Sequence, residues 1–277
     1  MTDRLEVELS KQKKLIGYER LFVKIPKALI LDDSLGERRV TILSYFLLHA
    51  GMTGCVNYSI NKIVEWVGKK PNGHKGKINQ KFAEDILSVE EGGYIELVDK
   101  PANLTCCTAT IKQNALDDLY DNGGYAMLYV DELEKIMNHV FSDESDKRMS
   151  NEIVLLVFAY LRKVIYQRPN KISDNVDAET RRARSPDAYD CHYNDIADVL
   201  GLSERQVSKA VDVLNDLGLI YSETLPRKKI GDRWTTSTTV FCNRYKREKG
   251  YLLESGSGYY MKETENKKKK IASYGSS

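Results

Sequence analysis

A chain of 277 residues, 42% hydrophobic and 30% charged, has room for two compact domains and the composition of a soluble protein. Mean hydropathy is −0.46, no run approaches the ~18–20 apolar residues of a bilayer span, and the opening MTDRLEVELSKQKKLIGYER lacks a signal-peptide core. The net charge of +2 and the pI of about 8.1 fall short of a dedicated polycation, so the placement of charge matters more than its sum.

That placement is uneven. Lys69–Lys81 (KKPNGHKGKINQK) holds five lysines and no acid, and Arg227–Arg247 holds seven Lys/Arg with one acid, Asp232, whereas Asp117–Asp146 is mostly acidic. The five cysteines (Cys55, Cys106, Cys107, Cys191 and Cys242) form no CxxC pair. They are therefore expected to be small semi-buried hydrophobes in a reducing, cytoplasmic compartment, without a disulfide framework or zinc ribbon.

In chain order, residues 1–16 read as a charged arm. Gly17-Tyr18…Phe22-Val23…Leu29-Ile30 reads as a short strand followed by a short helix. Val40–Ala50 (VTILSYFLLHA) is apolar enough for a buried helix, and Ser59 caps a second, INKIVEWVG, that stops at Gly68. After a long turn, KKPNGHKG, the spacing of Ile78, Phe82, Ile86 and Val89 predicts a third helix over roughly Lys75–Glu91. Tyr94–Val98 and Thr105–Lys112 then form a hairpin, completing a first domain over 17–115.

The same order recurs over 116–253. Gly124-Tyr125…Tyr129-Val130…Ile136-Met137 repeats the leading strand and helix, and Ile153–Ile165 (IVLLVFAYLRKVI) stands for the buried helix. Ile196, Val199 and Leu200 mark a short helix ending at Gly201. Ser203, with Gln206 three residues on in the capping-box position, opens another, whose stripe is Val207, Val211, Leu214 and Leu217. Leu219-Ile220-Tyr221 begins a hairpin, Pro226–Arg233 is its basic turn, and Trp234–Asn243 returns. Asn61, Ile63 and Gly68 match Asn194, Ile196 and Gly201 at one offset, and Phe82, Ile86 and Val89 fall on Val207, Val211 and Leu214. An ordered set of matches points to duplication. The polar stretch 167–190, with its Arg181-Arg182-Ala183-Arg184 cluster, reads as a disordered insertion. Residues 254–277, with Lys267–Lys270, read as a disordered basic tail.

Helix, turn, helix and basic hairpin is the winged-helix order. The expected fold is thus α+β, mainly α, with two tandem winged-helix domains, each a helix-turn-helix plus a β-hairpin wing. Such domains lay the third helix in the major groove and the wing on backbone or minor groove. In the second domain that makes Arg205, Gln206, Ser208 and Lys209 candidate base readers, since Arg reads guanine, Gln reads adenine and Ser reads either. Arg227, Lys228, Lys229 and Arg233 are the candidate phosphate contacts. In the first domain Lys75, Lys77, Asn79, Gln80 and Lys81 take the equivalent role.

Enzyme signatures are missing. The four histidines (His49, His74, His139 and His192) form no HxH or HExxH arrangement, and neither a GxxxxGK[ST] loop nor GxSxG occurs. No metal, cofactor or catalytic residue is assigned, and no environment activates a particular tyrosine.

The segment LFVKIPKALILDD (Leu21–Asp33), the apolar helix after it and then SINKIVEWVG resemble the N-terminal winged-helix domain of replication initiators from Gram-positive plasmids and related mobile elements. Phe22, Pro26, Leu29 and Ile30 carry the likeness, which covers about residues 17–112. The connector between helices is longer here than in that family, and a second winged helix follows. The layout is also similar to plasmid initiators that bind iterated origin repeats. The resemblance implies a replication initiator that binds double-stranded DNA without covalent chemistry. A transcriptional regulator, or a non-catalytic adaptor gripping replication or partition proteins, is the alternative.

Overall fold

The computed structural model describes residues 21–51, 53–141, 149–165, 188–225, 229–230, 233–234 and 238–243. The arm 1–16, the stretch 166–187 and the tail 254–277 lie outside the described residues. The chain is α+β and mainly helical, with small antiparallel sheets, and it divides into two compact units, Met1–Val140 and Phe141–Ser277. No helix among the described residues is long and apolar enough to cross a membrane.

In the first unit, strand β1 (Phe22–Pro26) runs into helix α1 (Lys27–Leu31), and β5 (Tyr125–Tyr129) runs into α6 (Val130–Met137) in the same way. The two strands pair antiparallel, Phe22 with Tyr129 and Pro26 with Tyr125, so Lys24 lies opposite Met127 at the centre. Each strand-and-helix was expected to introduce its own domain. Instead the two pair with each other, which satisfies the backbone groups on their facing edges, and the division between units falls at Val140/Phe141 rather than at 115/116. As the first residues of their strands, Phe22 corresponds to Tyr125, four residues away from the match to Tyr129 suggested by sequence.

Helix α2 (Arg39–His49) is buried from Arg39 to Phe46 because it is apolar nearly all round. Strand β2 (Cys55–Tyr58) alternates exposed and buried, followed by α3 (Ile60–Trp66), whose N-terminus is capped by the Ser59 hydroxyl accepting from Lys62 N at 3.4 Å. Helix α4 (Ile78–Glu91) buries Phe82, Ile86 and Val89 as the stripe predicts, but starts three residues later than expected. Gly76 has φ 73°, a left-handed conformation that cannot be the first turn of a helix. Strands β3 (Ile95–Leu97) and β4 (Cys107–Ile111) form the hairpin, and β2 adds to its far edge, giving the order β2-β4-β3. Helix α5 (Gln113–Gly123) connects to β5 and was not expected, its inward face resting chiefly on Leu116. Core packing includes Phe46 edge-on to Tyr58, centroids 5.1 Å apart.

The second unit repeats the central plan. Helix α7 (Asn151–Val164), capped by Ser150, is buried from Asn151 to Arg162. Strand β6 (Ala188–Cys191) precedes α8 (Tyr193–Leu200) and α9 (Glu204–Asp216), and strands β7 (Ile220–Leu225) and β10 (Thr238–Asn243) follow. Residues 188–190 therefore belong to the fold and not to the insertion. Gly201, at φ 70° and ψ 30°, ends α8 in the left-handed conformation and Gly68 does the same after α3. Between β7 and β10 two further short strands, β8 (Lys229–Ile230) and β9 (Arg233–Trp234), pair with each other, so the basic turn is narrower than Pro226–Arg233.

The sheet order β6-β10-β7 matches β2-β4-β3, and so does the register. Cys55 lies opposite Thr110 and Ala188 opposite Cys242; Ile95 lies opposite Ile111 and Ile220 opposite Asn243. The 133-residue offset that relates Gly68 to Gly201 also relates Cys55 to Ala188, the first residues of β2 and β6. The duplication thus extends to a strand in each unit, β2 and β6, that the expected domain plan lacks.

Candidate nucleic-acid interface

Ser203 opens α9 with a reciprocal cap. Its hydroxyl accepts from Gln206 N at 3.3 Å, and Gln206 Oε1 accepts from Ser203 N at 3.0 Å and from the Ser203 hydroxyl at 2.8 Å. Gln206 is therefore engaged at its carbonyl end in holding the helix start. Arg205 is exposed, and Ser208 and Lys209, three and four residues on, stand half-exposed on the same face. Val207, Ala210, Val211 and Leu214 bury the opposite face, which fixes how Arg205 and Lys209 project.

The wing residues of this unit are placed only in part. Lys229 lies on β8 opposite Trp234, and Arg233 lies on β9 opposite Ile230. Arg227 and Lys228 lie outside the described residues.

The first-unit candidates do not form one set. Lys75 and Lys77 precede α4, Lys81 is in its first turn, and all three are exposed. Gln80 is exposed too, but its Oε1 accepts from Gly76 N at 2.7 Å and its Nε2 donates to Glu84 Oε1 at 2.8 Å. Asn79 departs from expectation: it is 2% exposed and fully hydrogen-bonded inside the unit, so it holds structure and presents nothing to a base. Helical periodicity places Asn79 on the polar face of α4, whereas its amide turns inward. Aligning Phe82 with Val207 puts Glu84 where α9 has Lys209, so of the candidate lysines Lys75 and Lys77 sit in the turn and only Lys81 lies on the helix. Lys70 and His74 are exposed in that turn. The run of lysines without an acid was the signal that could have added them to the candidate set.

In the first unit the loop between β3 and β4 projects Val98 and Leu104, 65% and 83% exposed, and Asp99 Oδ2 accepts from Thr108 N at 2.9 Å. Cys55 and Cys106 are exposed as well, contrary to the semi-buried expectation, whereas Cys107 and Cys191 are buried.

Burial raises Tyr45 to about 12 and pushes Tyr58, Tyr94, Tyr120, Tyr160, Tyr189 and Tyr193 upward as well. That direction keeps these phenols protonated, opposite to what a phenolate nucleophile requires. Among the described residues no three His, Cys, Asp or Glu side chains come together as a metal site. No family model matches the chain, and no curated protein matches it.

Proposed function

We propose that the chain binds double-stranded DNA through two winged-helix modules and acts as a replication-initiator-like protein of a plasmid or other mobile element. The observation that carries the reading is the repeated topology: strand, helix, turn, helix and hairpin, with the same strand order and register in both units. It supports a winged helix because that module needs a helix held against a three-stranded sheet with one face left outward, and α9 has this arrangement with Arg205 and Lys209 on the outward face. The initiator role draws on the likeness of Leu21–Asp33, where Pro26 ends β1 and Leu29 and Ile30 are buried in α1.

The modules differ in what they offer. In the second, Arg205 and Lys209 suit base edges and nearby phosphates, with Lys229 and Arg233 on the wing strands. In the first, the lysine-bearing turn suits the phosphate backbone. Linked modules on one duplex gain avidity through effective concentration. The exposed Val98 and Leu104 favour a second reading, in which the first hairpin grips a replication or partition protein.

Selection from a random duplex pool with the full chain tests the proposal. Enrichment of a defined sequence supports DNA readout, and its recovery from the element's own origin distinguishes initiation from promoter control. A pool that stays random, with no retention at low salt, would move the protein-contact reading to first place.

A further inference from the structure

The turn between α3 and α4 carries Lys70, Lys75 and Lys77, all exposed, in a stretch with no regular structure of its own. It is nevertheless held, and one side chain does most of the holding. Asn79 Oδ1 accepts from Asn72 N at 2.8 Å, within the turn. Its Nδ2 donates to Asn61 Oδ1 at 2.6 Å, in the first turn of α3, and to Asn103 Oδ1 at 2.9 Å, in the loop between β3 and β4. Both amide protons and the carbonyl are used, each on a different segment. The backbone reinforces the junction, with Ile60 N and Asn61 N donating to Ala102 O and Asn103 O at 3.0 and 3.2 Å. Gly73 packs close to it: a Cβ there would come within 2.8 Å of Asn103 Nδ2 and would displace that amide.

Among the described residues the second unit shows no counterpart. With Phe82 aligned on Val207, Asn79 corresponds to Glu204, which is exposed, and the turn before α9 is only Gly201-Leu202-Ser203. A short turn needs no brace, whereas the long one does. Among the described residues the amide junction accompanies the long, lysine-bearing turn.

We infer that Asn79, with Asn61 and Asn103, is a positioning latch that holds the turn as a preformed phosphate-contacting surface. The inference rests on the proposed DNA binding and deepens it by naming what the first unit grips: backbone phosphates, met by the turn instead of the helix face. A braced turn meets the duplex with its ordering cost already met on folding, where a free one would lose affinity to ordering at each encounter.

Asn103→Ala in the full chain is the test, because Asn103 is exposed and its truncation spares the core. The readouts are polarisation titration on a random-sequence duplex and amide exchange of residues 72–74. The latch predicts faster exchange there, an unchanged thermal midpoint and an affinity loss of roughly 3–10-fold. It further predicts that Asn103→Ala costs nothing more once Lys70, Lys75 and Lys77 are alanine, since its effect runs through them. An equal loss with and without those lysines, or wild-type affinity in Asn103→Ala, would overturn the latch while leaving DNA binding intact. Failure of the wild-type chain to bind duplex at low salt overturns the latch and the DNA reading together.

Discussion

Arg39 is the most deeply committed cation in the first unit, and replacing it gives a stability change that can be worked from its contacts. It is 1% exposed at the start of α2. Its Nε donates to Leu29 O at 3.0 Å, Nη2 to Ile30 O at 2.8 Å and Nη1 to Gly36 O at 2.5 Å. The carbonyls of Leu29 and Ile30 belong to the last turn of α1, where a helix lacks its own donors and favours a cation. Arg39→Met would leave three carbonyls without their donor, at about 1 kcal/mol each at the low end for buried acceptors. Against that stands the dehydration of the guanidinium, which burial disfavours enough to lower its pKa despite the nearby Asp32 and Asp33. Relief of that dehydration offsets part of the roughly 3 kcal/mol sum, so the net loss is about 2 kcal/mol. Arg39→Lys keeps the charge but not the fork, and should lose roughly half as much. Urea unfolding followed by Trp66 emission, in a Trp234→Phe background, reads the first unit, because Trp66 packs edge-on to Tyr45 of α2. A lower midpoint at unchanged slope is expected. A loss under about 1 kcal/mol for Arg39→Met would refute the reasoning that this fork fastens α1 to α2.

Arg205→Ala should lower affinity for a selected sequence by about 1–3 kcal/mol, narrow the gap to random duplex and leave the thermal midpoint alone, as competition titrations would show. Lys228→Ala, in the basic stretch Arg227–Arg233 of the sequence, should weaken all duplexes alike and reduce the salt slope by about 1, read from the same titrations. His49 stacks on Tyr45 at 4.1 Å, and burial lowers its pKa, with the Tyr45 carbonyl opposing that shift and Lys62 adding to it. The unfolded chain thus takes up the proton first. The stability His49 supplies above its unfolded pKa of about 6.5 is lost as pH falls through the folded value. Urea midpoints at pH 7.5 and 5.5 should therefore fall less in His49→Gln than in wild type.

What the sequence disclosed and what it hid follow from the range of the interactions. Helix starts and stops are local: Ser59 and Ser203 hydrogen-bond within their own first turns, and Gly68 and Gly201 take the conformation their glycines permit. The stripes of α4 and α9 were legible for the same reason. Strands β2 and β6 are only four residues long and make sense through partners about fifty residues away. CVNY does alternate, but AYDC gives little signal and was absorbed into the polar stretch before it. The pairing of β1 with β5 was hidden more deeply, since similarity between two segments says nothing about whether each pairs locally or with its copy. Among the site residues, Arg205 and the exposed lysines follow from helical periodicity and charge. The role of Asn79 depends on Asn61 and Asn103, brought together by the fold, and no periodicity marks an inward-facing amide at the first turn of a helix.

The central claim is that this chain holds duplex DNA through charge placed on two folded modules. Its most direct test is a polarisation titration of the full chain against a random-sequence duplex over a salt series. The account predicts a log–log dependence on salt with a slope of about −4 or steeper, corresponding to four or more neutralised phosphates. No binding at low salt, or binding that salt leaves unchanged, would contradict it.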